Sequence, residues 1–394
     1  FTLRIPYIFF LDNLKELLII PKHIWGAIPV TNFHLSQFNL EPVGNGPYKY
    51  SSFEKRPDGF ITAYNLITNE YFAGNKPFLE KFIVKFYQNP SDLINAYNSK
   101  NIDGFGGINP KNTENIKLSN TILEKTMPRY YAIFLNKNVP GLNDKDVISA
   151  LNLAINKPEI IEKIFLGKAL AVNEPLLPFI AGYDKNSDPD LEFSPDKSLE
   201  LFEKSGWKIN DAGIREKKIG KQTASLEFSL VIPQIPSLVD TANLIKDYWT
   251  AVGVKANLII LNPADIANEI IKTRNYQMIL FGNILKNNPD LFSFWHSSER
   301  FYPGLNLALY ENKKVDALLE SVRKETDAEK RDKNLSQIQE LISEDQPAIF
   351  LYSPKYLYVA PAHFGGFDEP TISTPASRFQ NVNKWYLKTT RVFQ

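Results

Sequence analysis

The residues that could do chemistry are few. The chain has four histidines, His23, His34, His296 and His363, and no cysteine. No two histidines stand at i, i+4 and HExxH is missing, so nothing has the spacing of a zinc hydrolase. Without cysteine, disulfide frameworks, thiolate metal sites and thiol nucleophiles are excluded. GxSxG is missing too, which disfavours an α/β-hydrolase. Gly220-Lys221-Gln222-Thr223 lacks the glycine spacing of a phosphate-binding loop, and Gly104-Phe105-Gly106-Gly107 does not fit GxGxxG and reads as a loop. Ser194-Pro195-Asp196-Lys197 fits SxxK, but a capping serine before a proline at the first helical position accounts for it, and neither SDN nor KTG accompanies it. Carboxylate pairs such as Glu311 with Asp316 are what chance supplies in a chain that is 23% charged. No catalytic residue, metal ligand or cofactor site is assigned, and the chain reads as a non-enzyme.

The chemistry that remains is recognition. Aromatic residues reach 13%, with Phe 27 and Tyr 18, which suits deep cores or a cleft gripping ligands through flat faces. Lys plus Arg is 45 against 44 for Asp plus Glu, so the basic footprint of a nucleic-acid binder is missing. A length of 394 residues is enough for two or three domains. The longest apolar stretches, such as 17–21, are far short of the ~18 residues of a membrane span. The opening FTLRIPYIFF has no Met and no basic-then-apolar leader, and it reads like the middle of a longer protein.

These residues need elements to hold them. Three strand-like runs, 48–53, 60–66 and 81–87, follow a proline-rich entry at Pro21, Pro29, Pro42 and Pro47. A helix is expected over 91–98 with Ser91 as N-cap, and a strand over 121–126. Residues 129–136, RYYAIFLN, form the most apolar run so far, as in a strand buried on both faces. From there helices (143–155, 158–165, one capped at 194–196 that stops at Gly206, 238–252, 263–272) alternate with strands (225–232, 254–261, 276–281). That rhythm points to a parallel or mixed sheet covered by helices. Helices over 312–324 and 327–343 and strands over 348–352 and 356–360 close the pattern. Boundaries are expected near 130 and near 353.

Residues 41–83 then become specific. Pro42-Val43-Gly44-Asn45-Gly46-Pro47-Tyr48, Asn69-Glu70-Tyr71-Phe72 and Gly74-Asn75-Lys76-Pro77-Phe78-Leu79-Glu80-Lys81 follow in order. Further blocks are 96–103, 136–167 and 199–207, then Asp316-Ala317-Leu318-Leu319, Arg331 and Asp345-Gln346-Pro347-Ala348-Ile349. Together they resemble the extracellular solute-binding proteins of the peptide/nickel ABC-transporter class, family 5, over nearly the whole chain.

The resemblance implies an α/β, periplasmic-binding-protein-like type II fold, with two lobes joined by crossing strands at 129–136 and 351–355. It implies residues 36–130 and 353–394 as lobe I, 131–352 as lobe III, and 1–35 as the remnant of an extra N-terminal domain. It implies an extracytoplasmic receptor of an ABC importer, a monomer that takes a peptide or other small solute in an interlobe cleft and delivers it unchanged to permease subunits. Membrane association would come only through a lipid anchor or the permease. Competing readings are a hydrolase or transferase on a similar scaffold and an orphan chaperone-like binder.

Ligands of open α/β sheets bind at the carboxyl ends of strands. That rule, with the resemblance, singles out Phe281, Gly282, Asn283, Lys286 and Asn288 around one strand end, Gln234 at another, and Tyr130, Tyr131 and Tyr352 on the crossing strands. In the peptide-binding relatives the loop over 282–290 carries an Asp that pairs with the peptide amine. Here Lys286 stands at that position, and the next acid is Asp290.

Overall fold

The computed structural model describes residues 1–185, 192–286 and 288–388, and the chain divides into two compact units. The larger unites Phe1–Asp12 with Met127–Lys355, and the smaller unites Asn13–Thr126 with the residues from Tyr356 on. The breaks thus fall at 127 and 356, where the change of texture suggested 130 and 353. The opening residues do not form one piece. Phe9 is buried in the core of the larger unit, and the Ile8 amide donates to the Arg323 carbonyl at 2.8 Å.

A six-stranded mixed sheet organises the larger unit. Its strands are β1 (Arg129–Leu135), β2 (Ala169–Ala171), β3 (Glu227–Pro233), β4 (Lys255–Leu261), β5 (Met278–Ile284) and β6 (Ala348–Pro354), in the spatial order β4-β3-β5-β1-β6-β2. β3 runs parallel to β4 and β5, whereas β1 is antiparallel to both β5 and β6. Strands β3, β4, β5 and β6 therefore all end at one edge, where β1 and β2 begin.

Strand alternation divides the side chains between two cores. Ile133, Leu135, Leu280 and Leu230 face one, closed by helices Lys145–Leu153, Lys157–Phe165, Pro195–Lys204 and Pro236–Ala251. Tyr130, Ala132, Phe134 and Ile279 face the other, closed by Lys313–Lys324, Ala328–Asp345 and the two segments that carry Phe9 and Trp295. With both faces covered, the run RYYAIFL could carry no polar face, which is why no charged residue follows Arg129 in it.

The helix starts follow side-chain chemistry. Asn156, Ser194, Asn312 and Asp327 each accept a backbone N–H of the first turn, caps worth about 1 kcal/mol apiece. Ser194 Oγ accepts from the Lys197 amide at 3.4 Å, so the SxxK match is a helix cap. The helix expected over 91–98 is Pro90–Asn98, and its cap is Asn89 rather than Ser91, with Pro90 in the first turn. The segment expected as a plain helix over 263–272 starts as Pro263–Asp265 and continues as π-helix over Ile266–Ile271. A hairpin, Arg215–Ile219 with Gln222–Ser225, was not expected. It turns through Gly220 at φ +64° and sets Arg215 in the interior, where Nη1 donates to the Trp207 carbonyl at 2.6 Å and Nε to the Val252 carbonyl at 2.7 Å.

The smaller unit contains two three-stranded antiparallel sheets. One is Tyr48–Lys55, Ile61–Thr68 and Lys81–Lys85 in chain order; the other centres Tyr356–Ala360 between Phe105–Gly106 and Thr121–Lys125. Phe82, Tyr358, Phe364, Phe367 and Phe379 ring the buried Trp385 at centroid distances of 5.2–5.8 Å.

Candidate functional site

The edge where β3, β4, β5 and β6 end is the natural place for a ligand, because the ends of β3, β4 and β5 open there into loops. After β3 comes Gln234, exposed, its amide donating to the Leu261 carbonyl at 2.7 Å and so tying the ends of β3 and β4 together. After β5 the chain turns at Leu285, whose amide donates to the Pro128 carbonyl at 2.7 Å, and presents Lys286, exposed at φ +57°. Asn288, half-buried, accepts the Asp290 amide through its side chain at 3.1 Å. Residue 287, within the same expected loop, lies outside the described residues.

The nine residues singled out from the sequence do not share one surface. Gln234, Lys286 and Asn288 lie on loops at the edge. Tyr130, Phe281 and Asn283 fall on one face of the sheet, Tyr131, Gly282 and Tyr352 on the other. Three of them are interior, which corrects the expectation that they meet a ligand. Tyr130 is 0%, Tyr352 1% and Asn283 3% exposed. Burial is the main cause that pushes both phenols well above their ordinary pKa, and each finds a polar partner inside, as buried hydroxyls do. Asn283 Nδ2 donates to Tyr130 Oη at 2.9 Å. Thr241 donates to the Ser237 carbonyl at 2.7 Å, which leaves the Tyr352 hydroxyl to donate to Thr241 at 2.9 Å.

Gly282 also differs from expectation. A Cβ there would stand 2.8 Å from Tyr131 Cε1 and 3.0 Å from Cδ1, so the space above this glycine belongs to the Tyr131 ring and not to a ligand backbone. Tyr131 in turn leans on Tyr352 at 5.6 Å. Both Tyr131 and Phe281 keep part of their surface exposed.

Acid–base chemistry finds no support at the histidines. His23, His34 and His363 are exposed. His296 is buried at 9% exposure and stacks on Phe292 at 4.0 Å. Its Nδ1 meets Ser298 Oγ at 2.8 Å and accepts the Ser298 amide at 3.1 Å, while Nε2 lies 3.9 Å from Asp316 and 3.7 Å from Glu320. These types suggest a Ser–His–Asp unit, but the geometry is that of a cap. Asp316 is held by the Ser297 amide at 2.8 Å and hydroxyl at 2.6 Å, and Nε2 has no acceptor within hydrogen-bond reach. Glu311, the other half of the carboxylate pair, is engaged by Arg300. Among the described residues no group of three His, Asp or Glu side chains could hold a metal ion, and no helix is long and apolar enough to cross a membrane.

Comparison with known proteins agrees with this architecture. The sequence profile of bacterial extracellular solute-binding proteins, family 5 Middle, matches residues 1–301. The oligopeptide-binding protein AppA of Bacillus subtilis is 25% identical over 386 residues, which cover 96% of this chain and 68% of that protein. A putative peptide-binding protein AppA from Clostridium difficile superposes with a TM-score of 0.83 at 21% identity, over 98% of this chain and 76% of that one. NikZ from Campylobacter jejuni, solved with Ni(L-His), superposes at 0.76 with 25% identity over the same shares. With two α/β units and a profile match over three quarters of its length, the chain belongs to the bacterial extracellular solute-binding proteins of family 5, the receptor proteins of ABC importers.

Proposed function

We propose that the chain receives a peptide, or a solute of similar size, outside the cytoplasm and passes it chemically unchanged to the permease of an ABC importer. The observation that carries this reading is the shared edge of the larger unit, where four strands end and Gln234, Lys286 and Asn288 stand on adjoining loops. Tyr131 and Phe281, half-exposed on strands that reach this edge, supply aromatic surface to a ligand there. The peptide binding stated for the Bacillus relative supports the ligand class. The same family membership supports a non-enzymatic monomer, held at the membrane through a lipid anchor or the permease. By the same likeness, the larger unit corresponds to lobe III and the smaller to lobe I.

Native mass spectrometry of protein purified without denaturation tests the proposal. The expected result is a bound peptide-sized mass that leaves on unfolding and re-adds intact, with a rise in Tm, since a ligand that binds only the folded state stabilises it. A returned mass that has been cleaved or modified would overturn the receptor reading in favour of an enzyme.

A further inference from the structure

The loop after β5 is anchored at both ends. At its start Leu285 is buried at 2% exposure, and its amide donates to the Pro128 carbonyl at 2.7 Å. At its far end Leu291 is buried at 1% exposure, and Asp290 beside it gathers three parts of the chain. Arg323 Nε, on helix Lys313–Lys324, donates to its two oxygens at 2.9 and 3.1 Å. The Phe292 amide donates to Oδ1 at 3.3 Å and the Tyr7 hydroxyl to Oδ2 at 2.9 Å. The Asp290 side chain keeps 13% of its surface, so water competes little there, and hydrogen bonds to a charged group are stronger than neutral ones.

The Tyr7 bond comes from furthest away in sequence. Tyr7 belongs to a short segment docked on the same unit, with Phe9 buried at 5% exposure and the Ile8 amide on the Arg323 carbonyl at 2.8 Å. The Arg323 guanidinium lies 3.8 Å from the Phe292 ring centroid and 5.6 Å from that of Tyr7. Segment and loop therefore share one arginine and one carboxylate. Both tethers of the loop also adjoin places where the chain passes between its two units. Pro128 directly follows Met127, where the chain enters the larger unit, and Tyr7 stands shortly before Asp12, where it leaves.

We infer that Tyr7 is a positioning residue for solute binding: acting through Asp290, it holds the loop after β5 in the arrangement that the solute meets. The inference rests on the reading that the edge where β5 ends is the solute-binding surface. A loop that is in its binding arrangement only part of the time weakens the apparent affinity by that fraction. Tyr7→Phe keeps the ring and removes the one hydroxyl that joins the segment to Asp290, while Arg323 and Leu291 still anchor the loop.

The test compares the parent chain with Tyr7→Phe and with Tyr130→Phe, which loses a buried hydroxyl elsewhere in the same unit. Hydrogen exchange of a peptic fragment spanning 285–291 reads the loop, without solute, and Tyr7→Phe should speed it by about 3-fold or more. Calorimetric titration reads binding. The probe is the pentapeptide Leu-Ile-Ala-Val-Leu, chosen because exposed Ile235, Ile260 and Ile284 lie at or near the ends of β3, β4 and β5. Tyr7→Phe should weaken its Kd by about 3- to 10-fold, and Tyr130→Phe should leave Kd unchanged although it lowers Tm further. Unchanged exchange of the loop in Tyr7→Phe would overturn the inference and leave the peptide reading intact. So would faster exchange with unchanged Kd, or an equal loss of affinity in Tyr130→Phe, which would tie affinity to stability alone. If the pentapeptide does not bind the parent, the peptide reading itself fails and the inference falls with it.

Discussion

Asn283 and Tyr130 stand opposite each other in the β1–β5 register, and the Asn283 side-chain amide donates to the tyrosine hydroxyl at 2.9 Å in a fully buried setting. Both looked like ligand contacts by chain position, and both serve the core. Tyr130→Phe keeps the ring and leaves the Asn283 amide without its acceptor. A buried donor stranded in this way costs about 1–3 kcal/mol. For a unit of this size the melting transition should drop by about 2–10 °C. Solute Kd should stay within about 2-fold, because the hydroxyl has no route to a ligand. Differential scanning calorimetry with a parallel titration checks both; a large loss of affinity with no change in Tm would return Tyr130 to the binding surface.

The general plan of the larger unit was legible because its causes are local. The apolar run of β1 announces a strand covered on both faces, and Ser194 before Pro195 announces a helix start by its own side-chain chemistry. What was not legible depends on partners far away in sequence. Asp290 is in the sequence only the next acid after Lys286, and only the fold brings it Arg323, 33 positions on, and Tyr7, 283 positions back. The burial of His296 was not legible, because it depends on Phe292 at one side and on Asp316 and Glu320 of another helix. A period of two says that Tyr130 and Tyr131 face opposite ways, but both faces of this sheet are covered, so the sequence carries no sign of which ring is left half-exposed. The hairpin of Arg215–Ile219 and Gln222–Ser225 was missed because its strands are short and mostly polar, with little alternation to detect.

Gly282 gives a second prediction, about packing. A methyl group at this position would meet the Tyr131 ring at 2.8–3.0 Å, closer than carbon atoms approach without displacement. Gly282→Ala should therefore destabilise the larger unit by about 1–3 kcal/mol, the range of core overpacking. Tyr131→Ala in the same chain removes the obstacle, so the two changes together should cost less than the sum of each alone. Urea titration of the two single variants and the double variant measures the coupling. Additive losses would show that the ring moves aside without cost.

The third prediction concerns acid. Asp345 accepts the Tyr310 hydroxyl and the Asn312 side-chain amide, each at 2.8 Å, and Lys145 lies 3.5 Å away. Burial acts to raise its pKa, but the hydrogen bonds from Asn312 and Tyr310, together with the two lysines Lys145 and Lys137, outweigh it and hold the carboxyl below its ordinary value. A lowered pKa in the folded state means that the unfolded chain binds this proton more readily. The stabilisation is then present above the unfolded carboxylate value of about 3.9, and is lost as pH falls through the lower folded value. Asp345→Asn keeps the shape and removes the charge, so it should melt well below the parent at about pH 6, with the gap narrowing as pH drops towards about 2.5. Thermal unfolding of both proteins across that range decides it. Curves that stay parallel to the lowest pH would mean that Asp345 holds this part of the unit by shape alone.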